Sequence, residues 1–297
     1  MSPTRGGLSG RCRVHGWWLT PIRTLLFGAV GSVAKNGVTV SGLAGGRPLL
    51  FAHGFGCDQS MWRFVAPAFA DTHQIVLFDH VGYGRSDLSA YSVASYSSLD
   101  AYAADVLDIV HELDLRDVTF VAHSVSAMIA VLAVLREPER FANLVMIGPS
   151  PRYVDDPAES YVGGFARAEI DELLDALDSN YLGWSRAMAP VIMGNADQPE
   201  LAEELTNSFC RTDPRVARQF AQLTFTSDNR ADLPKVSVPT LIMQCSNDVI
   251  APLSVGEYVH RQIAGSELVV LKATGHCPNL SAPEETVAVM KTFLRAS

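Results

Sequence analysis

The stretch Val118-Thr119-Phe120-Val121-Ala122-His123-Ser124-Val125-Ser126-Ala127-Met128-Ile129-Ala130 decides how this chain is read. Its first half is apolar and β-branched, the make-up of a buried strand, and its second half is apolar and helix-compatible. A strand that turns at once into a helix leaves Ser124 at the tip of the turn, its hydroxyl exposed above a helix N-terminus. Such a turn brings neighbouring backbones close, so the residues two away from the serine must be small. Glycine suits best, and Ala122 and Ser126 are the next smallest choices. A serine presented in this way is a candidate nucleophile. It is weak at its own pKa and needs a base and an orienting carboxylate from elsewhere in the chain.

Working outward, the 297 residues are 48% hydrophobic, enough for one large α/β domain or two small ones. The net charge of −9 argues against nucleic acid or an anionic membrane as the main partner. Five cysteines, at positions 12, 57, 210, 245 and 277, are an odd number without ligand spacing. They read as reduced thiols, and neither a metal nor another cofactor is expected. Cys57 and Cys277 each follow a candidate site segment and are expected as free thiols beside the pocket. The first 57 residues hold no acidic side chain, and residues 24–34 form an apolar run too short to span a bilayer. Residues 1–35 are expected to be a disordered or signal-like extension. The expected location is the cytoplasm, or outside it if that segment is a true export signal.

Apolar runs at 37–41, 48–52, 74–79, 118–122, 143–147, 240–245 and 267–271 read as strands. Helical patterns lie between them at 61–69, 98–113, 127–136 and 252–262, and a last one at 282–295 closes the chain. Alternation of this kind implies an α/β fold with a mostly parallel central sheet flanked by helices. It stops at about residue 150. Residues 151–232 carry helical patterns at 166–177, 181–193, 199–210 and 214–225 and no convincing strand. They are expected to form a cap over the C-terminal edge of a core made of 36–150 and 233–297. Trp184, Met188 and Phe220 of that segment, with Phe55 and His123 below, are the expected pocket wall.

Two further residues stand just beyond predicted strands: Asp248 and His276. The chain order Ser124, Asp248, His276 is that of the α/β-hydrolase triad. A histidine supplies a base near neutral pH, and a carboxylate fixes its tautomer and stabilises the imidazolium. The glycine-rich loop His53-Gly54-Phe55-Gly56 follows an early strand. The N–H groups of Phe55 and Val125 are the candidate donors to an oxyanion, each worth about 3–4 kcal/mol in the transition state.

Several blocks carry a wider resemblance. They are His53-Gly54-Phe55-Gly56-Cys57-Asp58-Gln59-Ser60-Met61-Trp62, Phe78-Asp79-His80-Val81-Gly82-Tyr83-Gly84 and Ala122-His123-Ser124-Val125-Ser126. Gly148-Pro149-Ser150-Pro151-Arg152-Tyr153 and Gly275-His276-Cys277-Pro278 complete the set. From residue 37 onward the chain resembles the RsbQ-like α/β-hydrolases. That family holds a bacterial regulator of the sigma-B energy-stress response and the plant karrikin and strigolactone receptors. The resemblance implies a four-helix cap, a small apolar pocket and slow hydrolysis of a small lipophilic ester, lactone or related compound. It implies Ser124, Asp248 and His276 as triad, with Phe55 and Val125 at the oxyanion hole. It also implies a regulatory protein partner of the phosphatase type and a part in stress signalling. Ala122, Ser126 and the N-terminal extension depart from the pattern. Two function classes follow: a serine hydrolase, or a ligand-binding signalling module with little or no turnover.

Overall fold

A computed structural model describes residues 31–296 of the chain. It opens on one helical turn, α1 (Ser32–Lys35), and an edge strand, β1 (Thr39–Gly42). There follow β2 (Arg47–Ala52), β3 (His73–Leu77), α2 (Leu99–Glu112), β4 (Val118–His123), α3 (Val125–Arg136) and β5 (Phe141–Ile147). Four helices come next: α4 (Arg167–Ser179), α5 (Tyr181–Met193), α6 (Pro199–Arg211) and α7 (Pro214–Thr226). The chain then returns through β6 (Thr240–Asn247), α8 (Leu253–Gln262) and β7 (Glu267–Thr274) to α9 (Pro278–Ser281) and α10 (Pro283–Ala296).

The seven strands form one sheet in the order β1-β3-β2-β4-β5-β6-β7. Only β1 runs antiparallel, against β3; the other neighbours are parallel. Parallel strands covered on both faces read as unbroken apolar runs, and every residue of β4 is buried. On one face of the sheet α2 contributes Tyr102, Val106, Ile109 and Val110, all fully buried. These four recur at helical spacing, which is why the segment coils. Each such side chain contributes about 1.5–3 kcal/mol by leaving water.

The topology decides where a site can lie. The connection leaving β2 runs to β3 on one side, whereas that leaving β4 runs to β5 on the other. A crevice therefore opens at the carboxyl ends of the adjacent strands β2 and β4, where Ala52 pairs with Ala122.

Two sequence expectations change. The helix expected over 61–69 is a pair of 3-10 turns, Gln59–Trp62 and Ala66–Phe69. Pro67 has no N–H to offer an α-helical ladder, and the burial of Trp62 and Phe69 holds the short turns in place. Of the extension expected over 1–35, residues 1–30 lie outside the described range. Its last residues are tied to the fold: Lys35 Nζ meets Asp105 Oδ1 at 2.6 Å, and Val33 N–H donates to Glu112 Oε2 at 3.1 Å. No described helix is long and apolar enough to cross a membrane.

Candidate active site

Ser124 sits between β4 and α3 with φ 58° and ψ −127°, a conformation that side-chain-bearing residues avoid. Holding it costs about 1–3 kcal/mol, and hydrogen bonds on both sides impose it. Ser124 N–H donates to Ile147 O at 2.8 Å, and its carbonyl accepts from Ala127 N–H at 2.9 Å. The result is a sharp elbow that lifts the side chain out of the sheet over the start of α3.

The two partners arrive from later strands. Ser124 Oγ donates to His276 Nε2 at 2.8 Å, and His276 Nδ1–H donates to Asp248 Oδ2 at 2.7 Å. All three side chains are buried. Asp248 Oδ1 accepts from the N–H groups of Ile250 and Ala251 at 2.8 and 3.1 Å. One carboxylate oxygen therefore pins the turn after β6 while the other orients the imidazole. A serine hydroxyl bonded to an imidazole whose far nitrogen faces a carboxylate can lose its proton to that imidazole as it attacks a carbonyl. Among the described residues, the N–H groups of Phe55 and Val125 donate to no acceptor within the chain. Val125 follows Ser124 directly, and Phe55 follows Gly54, whose backbone abuts Ser124.

The loop bearing Phe55 is stitched to the elbow by a buried polar ring. His53 Nδ1–H donates to Gly54 O at 2.9 Å, and His80 N–H donates to His53 Nε2 at 3.0 Å. His80 Nε2–H then donates to Ser126 Oγ at 2.7 Å, and Ser126 Oγ–H donates to His53 O at 2.5 Å. Ser126, which departs from the glycine of the elbow pattern, thus supplies a hydrogen-bonded link. Burial holds both imidazoles below their ordinary pKa, so the ring is neutral. Gly54 is required for a different reason: a Cβ there would lie 2.5 Å from His123 Nδ1 and 3.1 Å from Ser124 Cβ.

The helices α5 and α6 bond to the loops that carry His276 and Phe55. His276 N–H donates to Ile192 O of α5 at 2.8 Å, and Ser208 Oγ of α6 donates to Gly56 O at 2.7 Å. Arg63 reaches Glu204 through two bonds of 2.7 and 2.6 Å.

Between these helices and the sheet lies a cavity of about 500 Å³, open solvent at its mouth included, lined mainly by apolar side chains. Phe55, His123, Trp184 and Met188 line it, with Ser124 and His276 at its floor. Phe220 does not. It is fully buried in an aromatic cluster, 4.6 Å from the Tyr102 ring and 5.4 Å from that of Tyr83. Its face of α7 packs down onto α2 and the loop after β3. Cys57 and Cys277 are free, buried thiols in the cavity wall. Burial pushes the Cys57 thiol up to about 12, which keeps it protonated and unreactive. Cys12 lies outside the described residues. No group of three side chains suited to a metal ion occurs among the described residues.

The sequence reading missed Phe209, Phe225 and Tyr153 in the wall. Tyr153 had a usable signal, since it follows the end of β5 as Asp248 and His276 follow β6 and β7. For the two phenylalanines no signal existed, because the helical period alone does not say which apolar stripe faces the cavity.

Comparison with known proteins agrees with this geometry. A model of the Alpha/beta hydrolase family matches residues 49–289. A Karrikin insensitive 2 receptor from Petunia hybrida is 37% identical over 83% of this chain and 91% of its own length. A strigolactone esterase from Arabidopsis thaliana is 38% identical over 84% of this chain and 93% of its own. The solved structure of a hydrolase from Oleispira antarctica superposes with a TM-score of 0.86 at 41% identity, covering 90% of this chain and 97% of that one. With a family model spanning most of its length and relatives of this closeness, the chain belongs to the alpha/beta hydrolase family.

Proposed function

We propose that this protein is a serine hydrolase that cleaves small lipophilic esters or lactones, with Ser124 as nucleophile, His276 as base and Asp248 as the residue that orients it. One observation carries the reading: the continuous Ser124–His276–Asp248 hydrogen-bond chain opens into an apolar cavity beside two free N–H donors. Ser124 Oγ adds to the carbonyl carbon while its proton passes to His276 Nε2. The oxyanion takes the N–H groups of Phe55 and Val125, and collapse releases the alcohol with the proton returned by His276. Water repeats the sequence on the acyl-serine. An apolar wall without an Arg or Lys clamp favours uncharged substrates. The naming of one relative as a strigolactone esterase supports carboxylic-ester chemistry.

The test is active-site labelling. A fluorophosphonate is expected to modify Ser124, with labelling suppressed in His276→Ala. Modification of another serine, or undiminished labelling in the histidine variant, removes the mechanism.

A second reading, ligand-dependent signalling through a phosphatase-type partner as in RsbQ-like proteins, is supported by a relative that is named a receptor. The direct bonds from α5 and α6 to the catalytic loops suit it, since ligand at Ser124 would be felt by the cap surface. Ser124→Ala separates the two: a hydrolase loses its biological effect, whereas a binding module keeps both the effect and the complex with its partner. We place the protein's work in the cytoplasm, a reading supported by the free thiols at Cys57, Cys210, Cys245 and Cys277.

A further inference from the structure

Tyr153 is buried in the cavity wall, on the segment that leaves β5 for the cap helices. Its hydroxyl lies 3.5 Å from Ser124 Oγ and has no other partner among the described residues. The ring packs edge-on against Phe225, centroids 5.0 Å apart, and Phe165 N–H holds the Tyr153 carbonyl at 3.2 Å. The phenol is therefore aimed at the nucleophile by packing and backbone rather than by a bond of its own. Two hydroxyls in direct contact sit about 2.5–3.0 Å apart, so the gap here is wider than a hydrogen bond needs. The contact is long and weak, so the phenol is free to turn to an oxygen carried by a carbon attached to Ser124 Oγ. The other lining hydroxyl, Thr224 Oγ1, already donates to Phe220 O at 2.7 Å.

Strand order says which oxygen that is. Phe55 follows β2, on one side of β4. Tyr153, Asp248 and His276 follow β5, β6 and β7, all on the other side. The oxyanion donor Phe55 and the phenol thus approach the acyl centre from opposite sides, and the phenol shares its side with the imidazole that protonates the leaving group.

We propose that Tyr153 is a catalytic residue that donates a hydrogen bond to the leaving-group oxygen. The inference rests on the serine-hydrolase reading above. In the collapse of the tetrahedral intermediate the C=O bond re-forms and the bond from carbon to the leaving oxygen breaks. The electron pair goes to that oxygen, which takes its proton from His276 Nε2–H. Tyr153 keeps its own proton throughout. In the second half of the reaction the attacking water occupies the same place and accepts the same bond. Burial pushes the phenol up to about 12, so it stays a donor across the working pH range. A hydrogen bond gains strength with the charge on its acceptor, so the donor matters most for basic alkoxides. The site is accordingly suited to unactivated alkyl esters and lactones, whose leaving oxygen is an alkoxide.

The test compares the protein with Tyr153→Phe on acetate esters of p-nitrophenol, phenol, trifluoroethanol and ethanol. Loss of the donor is expected to leave kcat/KM for the p-nitrophenyl ester within about twofold and to lower it roughly ten- to a hundredfold for the ethyl ester, the size of a lost hydrogen bond to a charged group. A plot of log kcat/KM against leaving-group pKa should therefore steepen. An equal loss across the series would assign Tyr153 to packing or to the oxyanion, and no loss would give it no part in the reaction; either result overturns the proposal. An unchanged melting temperature and modification at Ser124 by a fluorophosphonate, at whatever rate, verify that the variant is folded with a competent serine. Failure of the wild-type protein to label at Ser124 would instead overturn the hydrolase reading itself.

Discussion

His123 should make this fold sensitive to acid, and removing its imidazole should relieve part of that sensitivity. Its Nε2–H donates to the carbonyl of His276 at 2.7 Å, so the ring is tied to the loop after β7 as a neutral tautomer. The other nitrogen, Nδ1, is buried without a partner among the described residues and faces Gly54. A proton added there would have no acceptor. Burial foremost, and the nearby imidazole of His276, lower the pKa from 6.5 to about 3. The unfolded chain therefore binds this proton more readily than the folded one. The stabilising contribution is complete above the unfolded value and is lost as pH falls toward the folded one. Each unit between them is worth about 1.4 kcal/mol. At about pH 5, some 1.5 units below the unfolded value, roughly 2 kcal/mol has gone, a large share of a typical total of about 5–15 kcal/mol. The assay is urea denaturation at about pH 8 and about pH 5 for the wild type and for His123→Gln, whose amide can still donate to the His276 carbonyl but does not titrate. Buried His53 and His80 add acid sensitivity to both proteins, so the difference between them isolates His123. The variant should lose about 2 kcal/mol less between the two conditions. Equal losses would mean that His123 is protonated in the folded protein or exposed there, and the account of the buried Nδ1 would fail.

Asp248→Asn should keep the two backbone bonds at Oδ1 but set an amide N–H against His276 Nδ1, forcing the imidazole proton onto Nε2, where it blocks the base. A kcat loss of about 10⁴-fold with little change in melting temperature is expected, and a loss below about tenfold would detach Asp248 from the mechanism. Gly275 has φ 78°, and a Cβ there would run into the Met193 carbonyl at the end of α5. Gly275→Ala should therefore lower both the melting temperature and the labelling rate at Ser124; a stable, fully reactive variant would show that the contact with α5 does not position His276. Among p-nitrophenyl esters from acetate to palmitate, kcat/KM should peak at short chains, because each methylene adds about 0.8 kcal/mol only until the cavity is full. A maximum at palmitate, or activation at an oil–water interface, would indicate a lipase.

Local sequence was sufficient wherever a single element answered the question. The run through Ser124 gave a strand, a turn and a helix because β-branched and helix-compatible residues meet at one serine between small neighbours. Asp248 and His276 could be found from their places beyond strand ends, because parallel strands deliver their C-terminal residues to one edge of the sheet. The helix at Tyr181–Met193 was legible from its period; the structure adds the caps, Asn180 at its start and Gly194 at its end. The break of 61–69 into two short turns turned on burial of Trp62 and Phe69, which a periodic pattern does not record. Ser126 looked like a weakened elbow glycine; only the fold brings His53 and His80 to it, from 73 and 46 residues away in the chain. Phe220 looked like cap lining and is core, while Phe209 and Phe225 line the cavity. A helix of mixed aromatic and aliphatic residues has more than one apolar stripe, and which one faces inward is set by how that helix packs on the rest of the fold. Sequence alone therefore names the candidate residues for chemistry, because candidacy depends on residue type and on position along a strand. The shape of the space around them depends on distances between segments far apart in the chain, and those exist only once the sheet has closed and the helices have packed across it.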